Sequence, residues 1–121
     1  MKKYTKEHQW IELAADGTAK VGITKFAAEE LGEVTFVELP SVEKTVHGGE
    51  QLCVVESVKA ASDVFMPVTG NIAEVNSALD ADPAPVNDDP EGAGWICVVK
   101  DVNAGDLAAL MDADAYAAFC K

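Results

Sequence analysis

The sequence predicts a mainly β fold, a sandwich or small barrel with helices at its edges. Three observations predict it. Short apolar, β-prone runs recur at residues 19–23, 34–39, 52–55, 64–66, 72–75 and 95–100. Glycine and proline punctuate the gaps between them, at Gly32, Pro40, Gly48, Gly49, Pro67 and Gly70. Only a short stretch in the N-terminal half and one at the C-terminus have helical signals. An α+β sheet crossed by the C-terminal helix has the same periodicities, so periodicity alone leaves both architectures open.

The elements follow in order. Ala19, Val21 and Ile23 alternate with Lys20 and Gly22, as a half-buried strand requires. Thr24 is placed to cap a helix over residues 25–31, with Gly32 as its stop. The strand pattern returns at 34–39 and ends at Pro40. His47, Gly48 and Gly49 make a turn before the apolar run 52–55, and the next strand, 64–66, lies beyond a gap that contains Lys59. Pro67 and Gly70 bracket a further turn before 72–75. Residues 76–94 are polar and rich in Asp, Asn, Pro and Gly, which predicts a long surface loop with about one helical turn. A last strand occupies 95–100. Leu107, Leu110 and Met111 share a helical face with Asp106 as N-cap, and a second helical piece covers 113–119.

The bulk properties bound the function. At 121 residues, 49% of them hydrophobic, the chain suits one globular domain over 1–121. Its nine basic residues are all lysine and the net charge is -12. Such a chain repels phosphate backbones and anionic lipid, which argues against nucleic-acid and membrane roles but suits docking on basic protein faces. Cys53, Cys97 and Cys120 are odd in number and widely spaced, so neither a disulfide framework nor a zinc site is expected, and a reducing compartment fits. No signal-peptide core or membrane-length apolar run follows Met1, and no transit peptide is expected. His8 and His47 have no spaced ligand partners. Asp80, Asp82, Asp88 and Asp89 lack EF-hand spacing and read as solvated. Trp10 and Trp95 read as core or groove packing.

The segment Glu56-Ser57-Val58-Lys59-Ala60-Ala61-Ser62-Asp63 lies between two apolar runs. That pattern places Lys59 near the tip of a hairpin, with small neighbours that leave its amine open to a modifying enzyme. An exposed lysine amine is an ammonium at neutral pH and a poor nucleophile. Glu56 and Asp63 nearby favour the charged form, so Schiff-base chemistry is disfavoured and acylation by a separate enzyme remains open. Most lysines in such positions are ordinary surface residues, and the local pattern alone does not set this one apart.

The wider match does. Residues 55–63 with Pro67-Val68-Thr69-Gly70 closely resemble the lipoylation site of glycine cleavage H proteins. Biotinyl carriers place Met on both sides of the modified lysine, and 2-oxo acid dehydrogenase lipoyl domains place an acid before it. Here the neighbours are Val58 and Ala60. Tyr4 to Trp10 resembles that family's opening strand, Val21-Gly22-Ile23-Thr24 and Leu31-Gly32-Glu33-Val34 its strand–helix unit, and Phe36-Val37-Glu38-Leu39-Pro40 the strand entering the hairpin. Asn87 to Trp95 resembles its long loop, and residues 110–119 its closing helix.

The resemblance implies a lipoyl/biotinyl-type β-sandwich, or hybrid barrel, with a short helix in the N-terminal half and a C-terminal helix. It implies lipoate held covalently on Lys59 and a turn of Glu56, Ser57, Val58, Ala60 and Asp63 recognised by the modifying enzyme. The implied role is a non-catalytic carrier that shuttles an aminomethyl group from a pyridoxal-phosphate glycine decarboxylase to an aminomethyltransferase, then electrons to dihydrolipoyl dehydrogenase. A lipoate ligase, or a lipoyl transferase and synthase, would load it. A bacterial cytoplasmic monomer is expected. Glu7, His8, Gln9 and Trp10, with the loop before Trp95, are the expected walls of an arm-docking groove. Two positions depart from the family pattern: Gln9 stands where Glu is usual, and Glu91 where an aromatic residue is common. Gln9 offers a neutral acceptor to a cationic cargo, and this keeps open an H-like carrier of another lipoate-dependent pathway, in sulfur oxidation or lipoate relay.

Overall fold

The computed structural model describes residues 2–120. Nine strands form two antiparallel sheets. They are β1 (Lys2–Tyr4), β2 (Gln9–Leu13), β3 (Ala19–Ile23), β4 (Val34–Glu38), β5 (Thr45–Val46), β6 (Gln51–Ser57), β7 (Ala61–Phe65), β8 (Gly70–Val75) and β9 (Cys97–Lys100). The larger sheet has the order β1-β2-β3-β9-β8-β5 and the smaller β4-β6-β7. Their inner faces meet in one core, which includes Ile11, Val21 and Val99 from the large sheet and Val37, Val55 and Val64 from the small one. This is the β-sandwich, and the α+β alternative of a single sheet crossed by the C-terminal helix is set aside, because two sheets share the core.

Five short helices edge the sandwich: α1 (Lys25–Leu31), α2 (Ala78–Ala81), α3 (Ala84–Asp88), α4 (Ala104–Ala108) and α5 (Ala113–Phe119). Helix α1 has the bounds its local signals predict. The Thr24 hydroxyl accepts from the Ala27 amide, and Gly32 ends the helix at φ 76. The single turn expected within 76–94 is instead two helices, because Leu79 and Val86 each drive into the core at 0% exposure. Asn87 then serves as a strand partner. Its side chain accepts from the Val34 amide at 2.7 Å and donates to the Val34 carbonyl at 3.1 Å, satisfying the edge of β4.

Two further expectations change. Residues 4–10 are a hairpin rather than one strand. β1 pairs with β2 through Tyr4↔Trp10, and His8 turns the chain at φ 67. Helix α4 is capped by Asn103, whose side chain accepts from the Asp106 amide, and not by Asp106. The Asp106 carboxylate accepts from the Thr69 amide at 2.9 Å instead. The C-terminal helical face also divides. Met111 leaves the helix to exchange backbone hydrogen bonds with Tyr4, and α5 starts afresh at an Asp112 cap.

Candidate functional site

Lys59 sits at the tip of the β6–β7 hairpin, exposed. One side chain organises the turn: the Ser57 hydroxyl donates to the Ala60 carbonyl at 3.0 Å and accepts from the Lys59 and Ala60 amides at 3.3 and 3.2 Å. The tip is also fastened to the α1–β4 connection, because the Val58 amide donates to the Glu33 carbonyl at 3.0 Å. Lys59 thus projects from a fixed base. Its stem crosses Gly32, where an added Cβ would lie 3.4 Å from the Lys59 Cε and 3.8 Å from a Val58 methyl. Its amine meets only the Glu30 carbonyl, at 3.4 Å, and forms no ion pair among the described residues. The donor chemistry fits an acyl group on this nitrogen, since nothing strong must be broken to free the amine and the glycine leaves room for the stem.

The remaining turn residues divide by role. Glu56 faces solvent and its carbonyl accepts from the Thr35 hydroxyl at 3.3 Å. Asp63 accepts from the Gln51 side chain at 2.8 Å. Val58 and Ala60 are exposed on either side of Lys59.

Where the amine meets Glu30, a groove of about 150 Å³ opens. Glu7, His8 and Gln9 wall it on one side, Ser62, Asp63 and Val64 on the other, with Ile23, Ala27 and Leu31 as its apolar part. Three of the four expected groove residues are therefore together, and they face the hairpin of Lys59. Trp10 is not among them. It is 1% exposed, packs on Gly22, where a Cβ would lie 2.8 Å from its indole nitrogen, and donates from that nitrogen to the Pro90 carbonyl at 2.9 Å. Strand alternation accounts for this: Gln9 and Trp10 must face opposite sides of β2.

The loop before Trp95 does not join this groove either. It lines a second, larger one of about 870 Å³ on the other flank of α1, between Lys25, Glu29, Gly32 and Glu33 and residues 87–91. Glu91 is structural there. Its carboxylate pairs with the Lys2 amine at 3.0 Å and accepts from the Lys25 amide, at the start of α1, at 2.9 Å.

Gln9 is buried and both ends of its amide are engaged. Its oxygen accepts from the Thr5 hydroxyl at 2.6 Å and its nitrogen donates to the Glu7 carbonyl at 2.8 Å. Three acidic residues, Glu7, Glu30 and Asp63, line the groove, with the Asp63 carboxylate engaged by Gln51. His8 ties this wall to α5: its Nδ1 lies 2.6 Å from the Tyr116 hydroxyl, which also contacts the Thr24 hydroxyl at 2.8 Å. Burial pushes the Tyr116 hydroxyl pKa well above its ordinary value. Sequence reasoning missed Glu30, Gly32 and Ser62. Gly32 is visible in the sequence only as a helix stop, and nothing local marks it as the bed of a side chain 27 positions away.

The family model for the glycine cleavage H-protein matches residues 2–121. The chain belongs to that family. The glycine cleavage system H protein of Marinobacter nauticus is 54% identical over 115 residues, covering 95% of this chain and 88% of its own. The one from Thermotoga maritima is 48% identical over 120 residues, covering 99% of this chain and 96% of its own. A crystal structure of a glycine cleavage system H protein from Mycobacterium marinum superposes with a TM-score of 0.87 at 42% identity, over 97% of this chain and 94% of that one. This H-protein family membership extends over the whole described fold, and the relatives' names favour glycine cleavage over the other lipoate-dependent pathways. No helix among the described residues is long and apolar enough to cross a membrane.

Proposed function

We propose that Lys59 carries a covalent lipoyl group and that the chain is the non-catalytic lipoyl carrier of a glycine cleavage system. Bound there, the group would supply a dithiolane able to hold a one-carbon fragment and two electrons; the protein supplies its placement. The observation that carries the reading is the exposed Lys59 amine, whose stem crosses Gly32 and which reaches only the carbonyl of Glu30, a residue that also lines the smaller groove.

The residues around it have definite tasks. Ser57 holds the turn in one conformation, so a tether from Lys59 starts from a fixed point and visits each partner at high effective concentration. Glu7, Glu30 and Asp63 give the groove negative charge suited to a cationic amine, while Ile23, Ala27, Leu31 and Val64 exclude water from its apolar part. Gln9 holds the Thr5–His8 turn and leaves the charge to those three. Neutral Gln9 is therefore compatible with an aminomethyl cargo.

The partners would be a pyridoxal-phosphate glycine decarboxylase, an aminomethyltransferase, dihydrolipoyl dehydrogenase, and a lipoate ligase or a lipoyl transferase and synthase. The carrier would act as a monomer in the bacterial cytoplasm. The test is glycine-dependent release of carbon dioxide by purified glycine decarboxylase. Lipoylated protein should stimulate it and unmodified protein should not. Absence of stimulation by the lipoylated form would overturn the reading.

A further inference from the structure

The hydroxyl of Tyr116 joins two parts of the smaller groove from a helix outside it. None of the described residues of α5 lines that groove. Yet the Tyr116 hydroxyl oxygen lies 2.6 Å from His8 Nδ1, on the Glu7–Gln9 wall, and 2.8 Å from the Thr24 hydroxyl, which caps the helix that supplies Ala27 and Glu30. His8 needs such support, because φ 67 is a left-handed conformation that costs a non-glycine residue. Its carbonyl accepts from the Thr24 amide at 3.0 Å, so backbone and side chain fasten the same two residues. The Tyr116 ring is in turn fixed by a stack on Tyr4, with centroids 4.6 Å apart and planes inclined by 8°.

The hydrogen inventory gives this chain of contacts a direction. Thr24 is 0% exposed. Its hydroxyl oxygen accepts from the Ala27 amide at 3.2 Å, and its side chain has one other hydrogen-bond partner among the described residues, Tyr116. The Thr24 hydrogen therefore goes to the Tyr116 oxygen, since the reverse order would leave a buried hydrogen without an acceptor. Burial holds the Tyr116 pKa above its ordinary value, so that hydroxyl keeps its hydrogen and donates it to His8. His8 then accepts at Nδ1 and has its proton on Nε2. We propose that Tyr116 is a positioning residue: it passes a hydrogen bond from the cap of α1 to neutral His8 and so sets the two walls that enclose a loaded arm. The role rests on the carrier reading above and adds to it the residue that holds the groove in shape.

The test uses full-length protein with Tyr116→Phe, which keeps the ring and removes the hydroxyl. The first readout is the imidazole nitrogen spectrum at mildly alkaline pH, where free imidazole is neutral, in a His47→Asn background that leaves His8 as the one histidine. Nδ1 should be the unprotonated nitrogen and Nε2 the protonated one, and Tyr116→Phe should shift the Nδ1 resonance. The second readout is the lifetime of the lipoylated protein after loading by glycine and glycine decarboxylase and separation from that enzyme. Water cleaves the loaded arm to dithiol, formaldehyde and ammonia, and Tyr116→Phe should speed ammonia release about fivefold, the factor for one lost hydrogen bond. Leu107→Ala, a core truncation on α4 outside the groove, controls for lost stability and should leave the lifetime within about twofold of wild type. A proton on Nδ1, an unchanged lifetime in Tyr116→Phe, or equal acceleration by Leu107→Ala would overturn the positioning role and leave the carrier reading intact. Failure of the lipoylated wild-type protein to load would overturn both.

Discussion

Replacing Gly32 with alanine tests the link between the backbone at the end of α1 and the bed of Lys59. Gly32 has φ 76 and ψ -141, a region that is essentially glycine-only and costs other residues about 1–3 kcal/mol. The added methyl also meets the Lys59 Cε at 3.4 Å. That contact is with the far end of a flexible side chain, which can step aside at little cost. The expected destabilisation is therefore about 2 kcal/mol, nearly all of it backbone strain. With a urea dependence of roughly 2 kcal/mol per molar, the midpoint should fall by about 1 M. Urea unfolding followed by far-ultraviolet circular dichroism reads this directly. A second variant separates the two causes. If strain dominates, Lys59→Ala added to Gly32→Ala recovers little of the loss. An unchanged midpoint for Gly32→Ala would refute the strain argument, and full recovery in the double variant would assign the cost to the lysine stem instead.

Three more outcomes are expected. Trp10→Phe removes indole atoms that pack on Gly22 and leaves the Pro90 carbonyl without its donor; it should lower stability by about 1–3 kcal/mol in the same urea assay. Gln9→Glu replaces a donor to the Glu7 carbonyl with a buried carboxylate. Burial raises such a group's folded pKa, so its deficit relative to wild type should be smallest at acid pH and grow as pH rises through that pKa; a pH-independent difference would be inconsistent with this. Burial pushes the Cys53 thiol up to about 12 and the Cys97 thiol higher still. Alkylation of native protein at mildly alkaline pH should therefore add one label, at Cys120, by intact mass, and a second rapid label would contradict that burial.

Much of the fold was legible because its signals are local. Thr24 and Gly32 bound α1 correctly from nine consecutive residues, and alternation around Lys20 and Gly22 marks β3. The N-terminal hairpin was not legible. Its turn contains neither Gly nor Pro and is held by Thr5 and Gln9 side chains and a left-handed His8. The two helices within 76–94 were hidden in the same way, since Leu79 and Val86 are single apolar anchors in polar sequence and gain their meaning from a core built elsewhere. For α4, the cap lies three residues before the expected Asp106, at Asn103, because the Asp106 carboxylate is engaged with the Thr69 amide.

At the site, Lys59, Ser57 and the hairpin were readable from one continuous segment. The groove was only partly readable, because its walls come from three separate stretches. Gln9 and Trp10 are neighbours in sequence and part company on opposite faces of β2. Gly32 and Glu30 join Lys59 only through the fold.

Peptide mapping by mass spectrometry, after expression with an active lipoylation pathway and added lipoate, tests the central proposal most directly. A lipoyl increment should appear on the peptide containing Lys59 and be absent from every other lysine peptide, and Lys59→Arg should abolish it. Fully unmodified Lys59 alongside a lipoylated control carrier from the same cells, or an increment on a different lysine, would contradict the account.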